Sequence, residues 1–495
     1  MDKLLLGIDI GTASSKCVLA TPDGTIVASA SVQHEMDLPR PGWAEMDAER
    51  VWWSDVVNVI HQLVDERNRD AIAAMCVSGI GPCLLLSDDD LVPNRPAILY
   101  GIDMRATQEI DELTERFGAD EIIERGGTAL STQAVGPKML WVQRNEPDVW
   151  KASTRWFNAN SYVVAKLTGE YVLDHHTASQ CDPLYDIRTF GWIDEWVREV
   201  APGIAMPRLA WPSDIVGTVT SGAASVTGLR EGTPVCAGTV DAWAEARSVG
   251  VRRPGDVMLM YGSTMFMVQV LPELRTSELL WTTAGVEPGS YTAAAGMATS
   301  GILTSWMRDL MGGVEFETLI SEAAATPAGA DGLLLLPYFA GERTPIFDPD
   351  ARGVLAGLSL RHTRGHVFRA TYEGIAFGVR QILRLLDDVS QDLPQRIIAV
   401  GGGTQGGLWT QIVSDVTGRP QLVPQETIGA SYGDALMAGI GVGLLPPDTD
   451  WMSDPRTIEP NPETQDVYDA LFGGFQQLYP STRDVVHLLA GQQKG

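Results

Sequence analysis

Leu4-Leu5-Leu6-Gly7-Ile8-Asp9-Ile10-Gly11-Thr12-Ala13-Ser14-Ser15-Lys16-Cys17-Val18-Leu19-Ala20 reads as strand, small-residue turn, strand. The first strand ends in an acid, Asp9, and the turn after it is built from glycine and hydroxyl residues. Glycine lets a backbone take positive φ and come close to a ligand. Successive backbone N–H groups in such a turn can cradle phosphate oxygens. Gly11, Thr12, Ser14, Ser15 and Lys16 are therefore candidate phosphate contacts. Asp9 is the candidate holder of Mg2+, through water, because Mg2+ keeps several of its waters. From this stretch alone, an ordinary tight hairpin remains open.

A second stretch, Val257-Met258-Leu259-Met260-Tyr261-Gly262-Ser263-Thr264-Met265-Phe266-Met267-Val268, has the same form. Alone, Gly262-Ser263-Thr264 is a plain turn; paired with the first it becomes a second candidate phosphate turn. The two hairpins predict two related α/β domains, 1–248 and 249–495. The join falls near Val249 to Gly255, where Arg252-Arg253-Pro254-Gly255 is turn-forming. Length agrees, since 495 residues exceeds the roughly 250–300 at which single cores stop growing.

Hydrophobic residues make up 44% of the chain, which suits a globular protein with substantial cores. No stretch approaches the ~18 uninterrupted apolar residues of a membrane helix. The N-terminus, Met1-Asp2-Lys3, runs directly into the first strand without the basic start and cleavage site of a secretory signal, so a cytoplasmic protein is expected. The net charge of −27 argues against nucleic acid or an anionic membrane as partner. It leaves ATP admissible, because local backbone dipoles and a metal ion hold that ligand. The five cysteines form no CxxC and read as small buried thiols.

Further along, Gly238-Thr239-Val240-Asp241-Ala242-Trp243 places an acid where a strand ends and a helix begins. The helix dipole favours a carboxylate there, so Asp241 is either a helix cap or a base that takes a proton from an attacking hydroxyl. Gly401-Gly402-Gly403-Thr404-Gln405 follows a strand and precedes a helix; such a turn can admit adenine or an α-phosphate close to backbone. Its spacing is not that of a dinucleotide fingerprint. Apolar residues at helical spacing from Val367 to Leu386 predict a long helix capped by Thr363. Asp174-His175-His176 with Cys181 and Asp182 is declined as a metal site, because neighbouring side chains on a strand point apart. His34 and His61 read as surface or packing residues.

These pieces, in this order, resemble the FGGY carbohydrate kinases, and within them the xylulokinase-like members. Pro41-Gly42-Trp43-Ala44-Glu45-Met46-Asp47 is similar to the family's GWxExD segment. Arg95-Pro96-Ala97-Ile98-Leu99-Tyr100-Gly101-Ile102-Asp103-Met104-Arg105 is similar to its RPAIxWxDxR segment. Leu167-Thr168-Gly169-Glu170 with Asp174 and Ala178-Ser179 matches TGExxxDxxxAS. Most specific is Pro337-Tyr338-Phe339-Ala340-Gly341-Glu342-Arg343-Thr344-Pro345, continued by Tyr372-Glu373-Gly374-Ile375-Ala376-Phe377.

The resemblance implies two actin-like, ribonuclease-H-like α/β domains with a cleft between them. It implies ATP and Mg2+ as cofactors, a small sugar or polyol as substrate, and a homodimer. By position, Asp241 corresponds to the catalytic base and Asp9 to the Mg2+ side. Thr12 and Lys16, Gly262 to Thr264, and Gly402, Gly403 and Gln405 lie toward the nucleotide. Trp43, Gly81, Pro82, Asp103 and Arg105 lie toward the sugar. The expected reaction is transfer of the γ-phosphate of ATP to a hydroxyl of a pentulose such as D-xylulose, with other ketoses, polyols and sugar acids as alternatives. One departure concerns the substrate: where xylulokinases carry SGQMHG, this chain reads Ser78-Gly79-Ile80-Gly81-Pro82-Cys83. An actin-like ATPase without a sugar substrate would share the loop at Asp9 but has no use for Gly341 to Pro345.

Overall fold

The computed structural model describes residues 3–391, 393–425, 428–452 and 454–493. In the first half, β1 (Leu4–Ile10) and β2 (Ser14–Ala20) form the expected hairpin, followed by β3 (Ile26–Gln33) and β4 (Ile72–Gly79). Every residue of β1 is buried, because a central strand is covered on both faces. It pairs antiparallel with β2 and parallel with β4. Helices α1 (Ala159–Thr168) and α2 (His175–Ala178) follow, then β5 (Ile215–Thr218), β6 (Pro234–Cys236) and β7 (Thr239–Val240). The sheet runs β5-β6-β4-β1-β2-β3, with β7 pairing on β4.

After α3 (Asp241–Ser248) the plan repeats with β8 (Asp256–Tyr261), β9 (Met265–Leu271), β10 (Trp281–Ala284) and β11 (Tyr291–Gly296). Helix α4 (Gly301–Leu310) comes next, and α5 (Arg364–Ser390) is the long helix read from the apolar spacing. Thr363 caps α5, its N–H donating to His366 Nδ1 at 3.1 Å. Then come β12 (Arg396–Val400), α6 (Leu408–Thr417), β13 (Gln421–Val423), α7 (Ala430–Gly441), β14 (Arg456–Ile458) and α8 (Gln465–Gln493). The second sheet runs β10-β11-β9-β8-β12-β13-β14. Here β8 repeats the role of β1, antiparallel to β9 and parallel to β12.

Helix α7 leaves the second sheet and packs on β1, β4 and α3 of the first half. The approach is close enough that a Cβ at Gly433 would sit 1.9 Å from the Ala244 carbonyl oxygen. The five cysteines are free and buried. Among the described residues no helix is long and apolar enough to cross a membrane. His175 and His176 lie on a short helix rather than the strand expected. They still diverge, His175 ring to ring with Trp211 and His176 with Trp243.

Candidate active site

Strand register sets the first wall of the cleft. Asp9 on β1 stands opposite Lys16 on β2 and beside Ser78 on β4. Asp241, the first residue of α3, closes the wall from the other side; its Oδ1 accepts the Ala242 N–H at 2.7 Å. Glu245 sits one helical turn further on the same face. A cavity of about 450 Å³ brings together Asp9, Thr12, Lys16, Asp241, Glu245 and Thr264, the last from the second sheet. Glu245 escapes sequence reading, and the only signal for it is its i+4 spacing from Asp241.

Three acids around one lysine shape the electrostatics. Burial pushes the Asp9 carboxyl well above the usual carboxylate range, Asp241 adds to the rise, and Lys16 opposes it. The buried Asp9 Oδ1 has no hydrogen-bond partner. Burial also pushes Asp241 up to about 7, with Glu245 adding and the Ala242 N–H and Lys16 opposing. Glu245 is raised by burial too.

Ser15 departs from expectation. Residues alternate across β2, so Ser14 and Lys16 face the cavity and Ser15 faces the core. The Ser15 hydroxyl donates to Asp55 Oδ2 at 3.1 Å instead of reaching a ligand. His34, read as a surface or packing residue, packs behind the turn: its side chain is covered, with Nδ1 2.7 Å from Asp55 Oδ2 and Nε2 3.0 Å from the Gly11 carbonyl oxygen. Asp55, His34 and Ser15 thus brace the first turn from behind.

On the side expected to hold sugar, Trp43, Asp103, Arg105 and Pro82 do not line the cavity. Trp43 is taken up by packing. The Trp141 ring meets it edge-on at 5.2 Å, and the Arg105 and Arg40 guanidinium carbons lie 4.0 and 4.6 Å from its centroid. Asp103 accepts the Ala44 N–H at 2.7 Å and pairs with buried Arg105, which also reaches Glu45. That ion network ties the 40s segment to the loop just after Tyr100. The side chains that do line the cavity here are Tyr100, Gln133 and Gln180, all missed in the sequence. Gly81 lines it too, and a Cβ there would lie 2.9 Å from Asn158 Oδ1. Asn158 is locked in place, accepting the Cys83 N–H and donating to Asn160. The space beside Gly81 is therefore occupied by Asn158 rather than left open.

Beneath Asp241, Asp174 accepts hydrogen bonds from Thr239 (2.9 Å), the Thr177 N–H (2.9 Å) and Asn160 (3.2 Å). This buried network holds β7, which delivers Asp241 to the cleft.

A second cavity of about 490 Å³ opens behind the 262–264 turn, lined by Gly262, Ser263, Gly402 and Gly403. Tyr372 and Trp409 stack in its wall, centroids 5.1 Å apart and planes at 22°. Gln405 is exposed and is not among the lining residues; the 3-10 turn at Gly402–Thr404 carries it outward, and Gly406 takes its place. The 262–264 turn therefore divides the two cavities, with Thr264 in one and Gly262 and Ser263 in the other.

A twice-built sheet, one glycine-hydroxyl turn from each copy, and a half-buried carboxylate in the cavity that both turns line define an actin-like phosphotransferase architecture. The profile for the FGGY family of carbohydrate kinases, N-terminal domain, matches residues 4–246, and that for the C-terminal domain matches residues 257–442. The chain belongs to the FGGY family of carbohydrate kinases, phosphotransferases with an alcohol group as acceptor. It is 27% identical to a xylulose kinase of Bacillus subtilis, over 98% of both chains. It is 28% identical to a glycerol kinase of Nocardia farcinica, over 94% of this chain and 96% of that one. A solved xylulose kinase structure from Rhodospirillum rubrum superposes with a TM-score of 0.91 at 33% identity, covering 98% of this chain and all of that one.

Proposed function

We propose that this protein transfers the γ-phosphoryl group of ATP to a hydroxyl of a pentulose, with D-xylulose the first candidate. The observation that carries the kinase chemistry is Asp241, half-buried in the wall of the cavity that Thr12 and Thr264 also line. A carboxyl raised to about 7 suits a general base, because its proton affinity matches the working pH. Asp241 orients the acceptor hydroxyl and takes its proton as the oxygen bonds to phosphorus. Phosphoryl transfer has a loose transition state, so positioning and charge neutralisation supply most of the catalysis. Lys16 and the backbone of the two turns supply charge and N–H donors on the phosphate side, and the cavity behind Gly262 receives the rest of the nucleotide.

Mg2+ fits the residues present. The partnerless, buried Oδ1 of Asp9 is a ready acceptor for a metal-bound water. Among the described residues no three His, Cys, Asp or Glu side chains group closely enough to hold a metal on their own. That suits an ion bound by one or two carboxylates and substrate phosphates. When bound, Mg2+ supplies neutralisation of phosphate charge.

The pentulose assignment is supported by the names of the similar kinases from Bacillus subtilis and Rhodospirillum rubrum. A second reading, a polyol or sugar-acid acceptor, is favoured by Gly81 and Pro82, which stand where xylulokinases carry Met and His, so that no imidazole is present there to hold a sugar hydroxyl. An ADP-release screen over pentuloses, tetruloses, hexuloses, pentitols and aldonates decides between them. D-Xylulose or another pentulose giving the highest kcat/KM supports the first reading; an aldonate or pentitol giving it establishes the second.

A further inference from the structure

Arg343 belongs to the segment Pro337 to Pro345, yet nothing in the chemistry above uses its side chain. The guanidinium lines the same cavity as Asp9 and Asp241. Its one side-chain hydrogen bond among the described residues runs from Nη2 to the Met297 carbonyl at 3.0 Å, and it makes no ion pair among them. The other cation lining this wall, Lys16, lies in the field of three acids, Asp9, Asp241 and Glu245. Among the described residues lining the cavity, Lys16 and Arg343 are the only cations. A guanidinium stays protonated at any working pH, and it presents a planar fork of donors that matches phosphoryl oxygens.

The loop that carries Arg343 is fastened to the turn at 262–264. The Glu342 carboxylate accepts the N–H groups of Ala298 (2.6 Å) and Arg343 (2.7 Å). The segment holding Met297 and Ala298 is bonded in turn to the second hairpin. The Met297 N–H donates to the Met265 carbonyl, that of Ser300 to Ser263, and that of Gly301 to Gly262. Arg343 therefore moves with the second turn as one platform. The same cavity is lined by Tyr100, whose hydroxyl lies 2.8 Å from Thr12 Oγ1 on the first turn. Arg343, on the platform of the second turn, and Thr12, on the first turn, thus line one cavity, the space in which a phosphoryl group would pass from ATP to the acceptor.

We propose that Arg343 is a catalytic residue that contacts the phosphoryl group during transfer. In the step, the bond from the γ-phosphorus to the bridging oxygen of ADP breaks. The bond to the acceptor oxygen forms, the acceptor proton passes to Asp241, and Arg343 keeps its proton throughout while balancing charge on the three equatorial oxygens. A residue acting only here raises kcat and leaves ground-state affinities alone. The inference rests on the kinase reaction and not on which sugar is used, so the assay takes MgATP with the best acceptor of the screen, and a failure of D-xylulose leaves it standing. Arg343→Ala is expected to lower kcat by about 10²–10³-fold, with the acceptor KM and the ADP affinity by calorimetry changed less than about threefold. Arg343→Lys, which keeps a point charge without the fork, is expected to fall between the two. Three results would overturn the proposal: kcat retained while acceptor KM rises, which places the guanidinium on the sugar; ADP binding lost in both variants, which makes it a brace; or no change in any constant.

Discussion

Asp241 and Ser15 show how much a side chain's direction matters. Asp241 must be ionised to accept a proton, and burial holds it at about 7. The sign follows: as pH falls below 7 the carboxyl protonates and the base is lost. The expected result is a kcat/KM profile of the free enzyme that drops about tenfold per pH unit on its acid side, read from initial rates between pH 5 and 8. Asp241→Ala should lower kcat by about 10²–10⁴-fold while ATP still binds by calorimetry; a variant above a tenth of wild-type kcat removes Asp241 from its role. Ser15→Ala is expected to leave the ATP KM unchanged and to lower stability by about 1 kcal/mol in a urea melt, because it deletes one hydrogen bond to Asp55. A large rise in ATP KM would return Ser15 to the ligand side.

At the scale of elements, the two hairpins and the long helix were legible because each obeys one local rule. β1 and β8 are apolar runs ending at glycine-hydroxyl turns, and α5 carries its apolar residues at helical spacing behind a Thr363 cap. Helix α7 was not legible in this way. It is apolar nearly all round, and what fixes it is the first sheet and α3, more than 180 positions earlier in the chain. Gly433 records that contact. Gly433→Ala should push α7 off α3 and lower stability by about 1–3 kcal/mol, seen as a reduced urea midpoint with an unchanged m-value. An unaltered midpoint would show that the helices separate without cost.

At the scale of the whole molecule, the cavity draws its walls from both sheets, so its shape depends on how they sit across α3 and α7. Binding of sugar and nucleotide should draw the turns at Thr12 and Thr264 together and exclude water, which limits ATP hydrolysis. Small-angle scattering with D-xylulose and a non-hydrolysable ATP analogue is expected to show a smaller radius of gyration than the free protein. Identical dimensions in every ligand state would count against closure.

The sequence by itself determined the duplicated α/β plan, the two turns, and Asp9, Lys16 and Asp241 as residues at strand and helix ends. Each of these depends on contacts within a few positions, where backbone propensity and turn chemistry act. Tertiary structure alone decided which candidates face the cleft. Trp43, Asp103 and Arg105 carry the side chains of a sugar pocket, yet they spend them on one another and on Trp141 and Glu45. Tyr100, Gln133, Gln180 and Arg343 come from four separate segments and meet only because the fold closes around one cavity. A side chain's partners are chosen by distance in space, and one chain position says little about that until the sheets and helices have packed.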